Sequence, residues 1–325
     1  MEIKVLKTFE LQENDWIRIV AGSNRSFDRQ TTKERLLILY NSNCFGYSFH
    51  AVCYENDSII GFTSIMPFQY VHKERTFKAG INGGSYVLKE YRSDAFILKD
   101  MLDALKEECA GNDFSVFLGV PNKNTYKYLI VFSGFKLIGY LNYYALPVNL
   151  FTVLKKDKIK YLDVISSLCF RTYCYTNLVF SHICNSKEKL SEYRLFITDD
   201  FHKTRFSSSR YTYVEKQNVK FWYRRVDEAG ITTTYLMDFR ENSYRTNKAL
   251  CAAAWYIVRK EKIDILLYVG TLRMKQGLLL KTPSRFKPKK LPLMYSLLEK
   301  DNKEQYDSMA NIKLWDFGLM NFDGR

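Results

Sequence analysis

The run Ile81-Asn82-Gly83-Gly84-Ser85-Tyr86-Val87-Leu88, continued by Lys89-Glu90-Tyr91-Arg92-Ser93-Asp94-Ala95-Phe96-Ile97, belongs to the stretch Phe77 to Tyr144 on which the fold of this chain is read. The first eight residues have strand composition, and paired glycines inside such a run predict a bulge or a close backbone approach. A helix follows the polar loop: Ile97, Met101, Leu102 and Leu105 share one face, Lys99, Asp100, Asp103, Lys106 and Glu107 the other, and Gly111-Asn112 ends it. Ser115 to Val120 is apolar without alternation, the pattern of a strand covered on both faces, and Pro121 closes it. Pro121-Asn122 then turns into a short helix that ends at Gly134, and a closing strand runs to Tyr144.

A loop passing from a strand into a helix offers free backbone N–H groups and the positive end of the helix dipole to an anion. This one also carries Arg92, with Ser93 and Asp94 as candidate N-caps. The order of elements resembles the acyl-CoA-binding half of the GNAT superfamily of N-acyltransferases. In that family an Arg/Gln-x-x-Gly-x-Gly/Ala signature wraps the coenzyme A pyrophosphate, and the matching residues here are Arg92-Ser93-Asp94-Ala95-Phe96-Ile97. Arg92 is kept; Ala95 and Ile97 stand where the family prefers small residues or glycine, and Ile97 adds bulk where phosphates would approach.

Downstream, Gly119-Val120-Pro121-Asn122-Lys123-Asn124-Thr125-Tyr126 and then Gly134-Phe135 are similar to a GNAT subgroup met in bacterial surface-polysaccharide gene sets. The resemblance implies two central strands that splay apart to admit the pantetheine arm. It implies that a backbone N–H around Tyr86, Val87 and Leu88 polarises the thioester, and that Asn122, Asn124 and Tyr126 sit at the thiol, with Tyr126 as the acid and Tyr128 as a neighbour of similar chemistry. Read from the residues alone, Asn122 and Asn124 equally suit a turn and helix cap, and Tyr126 a packed ring. For the base the candidates are Glu90 and, across a domain junction, Asp316 or Asp323.

Upstream, Met1 to Lys7 reads as a strand, Glu13 to Ala21 and Thr31 to Asn41 as helices, and Phe49 to Leu88 as antiparallel strands turning at Glu55-Asn56-Asp57 and His72-Lys73-Glu74-Arg75. This is the order of a GNAT domain, assigned to residues 1–147. Pro147-Val148-Asn149 marks a boundary. Beyond it Asp157 to Phe180 reads as a buried helix or helix pair, since aromatic and aliphatic residues recur at helical spacing. The β-prone run Ile231 to Met237, the helix Asn247 to Lys260 and the strand Ile263 to Val269 repeat the earlier order, so residues 148–325 are assigned to a second, degenerate GNAT-like domain. Leu314 to Asp323 reads as a closing strand whose Trp315 and Phe317 either pack or line an acceptor pocket. The fold class expected is α+β, a mixed central sheet flanked by helices, duplicated in a degenerate C-terminal half.

A chain of 325 residues has room for two such domains. No apolar run approaches the roughly 18 residues of a membrane span, and the N-terminus lacks the apolar core of a secretory signal, so a cytoplasmic location is expected. Seven cysteines without C-x-x-C spacing and four histidines without zincin spacing indicate neither a disulfide framework nor a metal site. The net charge of +14 is scattered, its densest group being Lys281 to Lys290, and it suits coenzyme A, a nucleotide-linked sugar or an anionic membrane face better than nucleic acid.

The function expected is acyl transfer, most simply of acetyl from acetyl-CoA, to the primary amine of a small molecule such as an amino sugar or nucleotide-sugar intermediate. Two alternatives stand beside it: a binding protein that keeps the fold without turnover, and a Fem-type transferase that uses aminoacyl-tRNA.

Overall fold

The computed structural model describes residues 1–27, 30–198, 200–283, 285, 289–298 and 308–322. Strand β1 (Glu2–Lys7) and helices α1 (Glu13–Phe27) and α2 (Lys33–Asn41) precede the antiparallel strands β2 (Phe49–Glu55), β3 (Ser58–His72) and β4 (Arg75–Val87). Both turns of this meander hold paired left-handed residues, Asn56 with Asp57 and Lys73 with Glu74, which match the twist of the strands they join. Helix α3 (Phe96–Ala110) buries Ile97, Met101, Leu102, Leu105 and Cys109 against the sheet. It leads to β5 (Phe114–Gly119), buried along its whole length, then to α4 (Lys123–Ser133) and β6 (Lys136–Tyr140). Gly134 ends α4 at φ +67°, a left-handed cap that a side chain would strain.

The remaining elements are β7 (Asn142–Pro147), α5 (Leu150–Val153), α6 (Asp163–Ile183), β8 (Tyr193–Leu195), α7 (Phe201–Arg205), β9 (Thr212–Lys216), β10 (Val219–Glu228), β11 (Ile231–Glu241), α8 (Asn247–Lys260), β12 (Ile265–Gly270), β13 (Leu280–Lys281), β14 (Pro292–Leu297) and α9 (Leu319–Phe322). They complete two mixed sheets. The first runs β1-β2-β3-β4-β5-β14-β6, with β8 also paired to β3, and the second runs β13-β7-β12-β11-β10-β9. Each sheet holds one parallel pair, β4 with β5 and β11 with β12, and in each a helix connects the two strands. The repeated order is a duplicated α+β architecture.

The expected closing strand to Tyr144 is in fact divided: β6 stays in the first sheet, whereas β7 begins the second. Between β5 and β6 lies β14, from the far end of the chain. A division near residue 147 stays a proposal, and it has to accommodate this exchange of strands. The inner faces of both sheets meet in one apolar cluster that joins Phe68 and Tyr70 of β3 to Trp222, Tyr235 and Val269 of the second sheet. Helices α3 and α8 cover the outer faces.

Two expectations about the second half are overturned. Helix α6 is not buried: Val164, Leu168 and Ile183 are 76 %, 67 % and 76 % exposed. The tail forms no closing strand; among the described residues it meets the sheets through the isolated bridges Trp315 with Tyr193 and Gly318 with Gly270 before α9 begins. The rings of Trp315 and Phe317 are packed in the interior, Trp315 stacked on Tyr193 at 4.7 Å with its Nε1 donating to the Met309 carbonyl at 2.9 Å. They line no acceptor pocket. Of the basic run Lys281 to Lys290, residues 284 and 286–288 lie outside the described residues.

Candidate active site

The expected bulge is present. Phe62 of β3 pairs with Tyr86 and Ser64 with Gly83, so the single residue Thr63 faces both Gly84 and Ser85. Gly84 has φ +72°, and a Cβ there would run into the hydroxyl of Tyr40. Polar side chains gather at the bulge: Thr63 Oγ1 lies 2.6 Å from Ser85 Oγ, and Asn82 Nδ2 donates to Thr63 Oγ1 at 3.2 Å. Beneath them the buried His50 bridges Ser64 Oγ (2.8 Å) and Thr8 Oγ1 (2.9 Å), and burial lowers its pKa to about 3.

Where the bulge begins, the two central strands part. The last pair between β4 and β5 is Asn82 with Gly119, yet β4 continues to Val87. The Leu88 N–H donates back to Ile60 of β3 at 2.9 Å. Successive strand residues alternate sides, so Tyr86 also addresses β3 and Val87 faces the side that β5 has left. Of the three backbone candidates, only Val87 can aim its N–H into the gap. The Tyr86 ring is buried against Gly22 and Phe62, its hydroxyl donating to the Ile19 carbonyl at 3.3 Å, so it is a core side chain.

After a short turn (Lys89–Tyr91) the chain enters α3. The exposed Arg92 folds back so that its Nε donates to the Val87 carbonyl at 2.8 Å. The N-cap of α3 is Ala95, without a side-chain cap bond, and neither Ser93 nor Asp94 takes that position; Asp94, one residue earlier, accepts from Phe96 N–H through Oδ1 at 2.8 Å and puts a carboxylate at the helix start. Ser93 is exposed and Ala95 half-buried. Ile97 does not stand in the way of phosphates as its position suggested: its side chain is buried with Met101 and Leu102. The exposed neighbour is Phe96, packed edge-on against Phe132 of α4 at 6.3 Å.

That contact brings the second group of candidates alongside the first. Asn122 Oδ1 caps α4 by accepting from the N–H groups of Asn124 (2.9 Å) and Thr125 (3.0 Å). Asn124 is exposed. Tyr128 ties α4 to α3 through a hydrogen bond to the Ala95 carbonyl, and burial pushes its pKa up to about 12. Tyr126 is half-buried, and a hydrogen bond with Tyr140, aided by burial, raises its pKa. Tyr140 escaped the sequence reading because it lies in β6, fourteen residues along, and only the fold joins the two phenols. Glu90 lies in the turn between β4 and α3, its Oε1 paired with Arg25 Nη1 of α1 at 3.1 Å.

The second sheet repeats this geometry in a closed form. Strand β11 leaves β12 after the pair Tyr235 with Leu267, and it too carries an irregularity, between the pairs Trp222 with Asp238 and Tyr223 with Leu236. Here, however, the tail fills the opening: Thr271 N–H donates to the Phe317 carbonyl at 2.8 Å, and Gly270 bridges to Gly318. Asp316, a candidate base, is committed to Arg245, whose Nη1 lies 2.7 Å from its Oδ1 and whose Nε lies 2.6 Å from Asp238 Oδ1. The other candidate, Asp323, lies outside the described residues.

No protein-family model and no curated protein sequence matches this chain. Solved structures do. A protein of Enterococcus faecalis V583 described as a probable N-acyltransferase aligns with a TM-score of 0.53 at 12 % identity, over 93 % of this chain and 74 % of its own. A GCN5-related N-acetyltransferase of Anabaena variabilis aligns with a TM-score of 0.55 at 10 % identity, over 92 % and 73 %. The N-myristoyltransferase of Saccharomyces cerevisiae, solved with myristoyl-CoA bound, aligns with a TM-score of 0.53 at 10 % identity, over 90 % and 82 %. With its bulged β4 and the parting of β4 from β5, the chain has the fold of the GNAT superfamily.

Proposed function

We propose that this protein is an acyl-CoA-dependent N-acyltransferase whose working site lies in the first sheet, between β4 and β5 at the starts of α3 and α4. The observation that carries the reading is the side of β4 beyond Asn82, which pairs with no strand among the described residues and where Val87 faces outward next to the exposed guanidinium of Arg92. An extended amide chain such as pantetheine can pair with that strand edge. The residues fit the cofactor in part: Arg92 supplies a cation for the pyrophosphate, while Asp94 already occupies the Phe96 N–H.

In this reading the Val87 N–H hydrogen-bonds the thioester carbonyl oxygen as it gains negative charge, an effect worth about 10²–10³ in rate for one donor. The acceptor nitrogen forms the new C–N bond, the C–S bond breaks, and Tyr126 gives its proton to the departing thiolate. Its raised pKa keeps the phenol protonated at neutral pH. The amine proton passes to a base, for which Glu90, held by Arg25 at the rim of the same loop, is our candidate. Acetyl is the simplest acyl group and a primary amine on a small, sugar-like acceptor the proposed partner.

The test is stabilisation by ligand. Acetyl-CoA at a hundred times its Kd raises the stability of the native state by about 2.7 kcal/mol, and release of free thiol in the presence of an amine reports turnover. The Asp94 carboxylate bound to the Phe96 N–H favours a second reading, a protein that binds without turnover. Stabilisation by acetyl-CoA with no thiol release from any amine panel supports that alternative, and absence of stabilisation by any acyl-CoA overturns the proposal. Salt-sensitive retention of aminoacyl-tRNA in its place would point to a Fem-type transferase.

A further inference from the structure

Helix α6 has two apolar faces. One packs on α8 through Cys174 and Leu178. The other points to solvent: Val164, Ile165, Leu168, Tyr175, Val179 and Ile183 are between 46 % and 76 % exposed. At 100° per residue they fall within one arc of the helix. The exposed Tyr161 precedes the helix as part of the same surface. A 21-residue helix extends this stripe over about 30 Å, and a contiguous exposed apolar patch marks an interaction surface.

The stripe continues into a groove of about 440 Å³ between α6, α8 and the β9–β10 turn. Tyr175 rests against Trp255 at 5.3 Å, and Leu178, Trp255, Tyr256 and Phe221 line the groove floor. Its rim is cationic, formed by Lys216, Lys248, Arg259 and Lys260. Positive charge also brackets the helix. The exposed Lys155, Lys156, Lys158 and Lys160 precede it, and the exposed Lys187 and Lys189 follow it.

We propose that this face docks on an anionic lipid bilayer, with the α6 stripe lying in the interface and the surrounding lysines and arginines on acidic headgroups. Charge decides for this occupant. In a two-fold pair of copies the same surface would meet itself, setting lysines against lysines at both ends of the helix, whereas an acidic headgroup layer complements every one of them. No helix among the described residues is long and apolar enough to cross a membrane, so the contact is peripheral. The inference stands apart from the acyltransferase reading, because α6 contributes nothing to the site in the first sheet.

The test is co-sedimentation of the full chain with vesicles of phosphatidylcholine alone and of phosphatidylcholine mixed with phosphatidylglycerol. The expected result is binding to the acidic vesicles only, weakened at high salt, with tryptophan emission quenched by brominated acyl chains. The double substitution Leu168→Ser, Val179→Ser removes exposed groups, so the melting curve is expected to stay in place while vesicle affinity falls tenfold or more. Lys156→Glu with Lys158→Glu is expected to weaken binding and its dependence on acidic lipid. Absence of binding, equal binding to both vesicles, or full binding by the Leu168→Ser, Val179→Ser variant overturns the proposal. So does a dimer in solution that this variant splits, which would make a second copy the occupant.

Discussion

The Nε of Arg92 lies 2.8 Å from the carbonyl oxygen of Val87, so the guanidinium sits on the strand edge that the parting of β4 and β5 exposes. Arg92 is exposed, and its loss is expected to change the stability of the free protein by no more than about 0.5 kcal/mol. A charge-assisted contact to a pyrophosphate is worth about 1.5–3 kcal/mol. Arg92→Ala is accordingly expected to weaken acetyl-CoA binding at least tenfold, measured by titration calorimetry, while the melting temperature without ligand stays fixed. Unchanged affinity would remove Arg92 from the site.

Local chemistry made much of this arrangement legible. The helix read over Asn247 to Lys260 is found with those bounds, because the Thr246 cap and the periodic Leu250, Ala253, Ala254 and Ile257 are all local signals. The glycine pair forecast the β4 bulge for the same reason. What the sequence hid is long-range. Nothing near Pro292 announces that β14 crosses to the first sheet, and nothing between Tyr140 and Asn142 marks the passage from one sheet to the other. Periodicity gave α6 an apolar face but not what covers it, and the tail's aromatic residues signalled burial without specifying a strand. In the site, Asn122 was read both as cap and as cofactor ligand; its capping bonds are plain, while Tyr140 and the Asn82–Thr63–Ser85 cluster needed the fold to bring them together.

Gly84 offers a second test. A side chain there meets both an unfavourable left-handed backbone, worth about 1–2 kcal/mol, and the Tyr40 hydroxyl. Gly84→Ala is expected to destabilise the protein by about 2 kcal/mol or more, read from urea unfolding, and to reduce acetyl-CoA binding by displacing the bulge. Tyr40→Phe removes the oxygen in the collision, so Gly84→Ala should cost less in the Tyr40→Phe background. Additive effects of the two substitutions would show that the contact does not limit the site.

The phenol pair gives a kinetic prediction. Tyr126→Phe removes the proposed acid, and loss of general acid catalysis typically costs about 10²–10⁴ in rate. The fall is expected in kcat with little change in KM for acetyl-CoA. Tyr140→Phe leaves Tyr126 in place but removes the hydrogen bond that raises its pKa. Its expected signature is an alkaline limb of the kcat profile moved to lower pH. A Tyr126→Phe enzyme with full kcat would rule out this phenol as the proton donor.

Acid should unfold the protein in two stages with different owners. Buried His50 has its pKa lowered to about 3 by desolvation, against about 6.5 in an unfolded chain. The unfolded state therefore takes up the extra proton, and stability falls as pH drops below about 6.5, by up to about 1.4 kcal/mol per unit. Asp238 governs the lower range. Burial alone would raise its pKa, but the Arg240 and Arg245 guanidiniums and the His202 hydrogen bond at 2.7 Å hold it well below the usual carboxylate range. Its contribution is present above the unfolded value of about 3.9 and is lost as pH falls from there toward the folded one. His50→Gln should flatten the urea midpoint between about pH 6.5 and 4, leaving the contribution of His72, whose pKa burial also lowers. Asp238→Asn should act differently, costing about 3–5 kcal/mol already at neutral pH because Arg245 is left buried without this partner, and removing the steep loss below pH 4. Should His50→Gln retain the wild-type slope above pH 4, the upper stage belongs to other groups and the buried histidine is not its source.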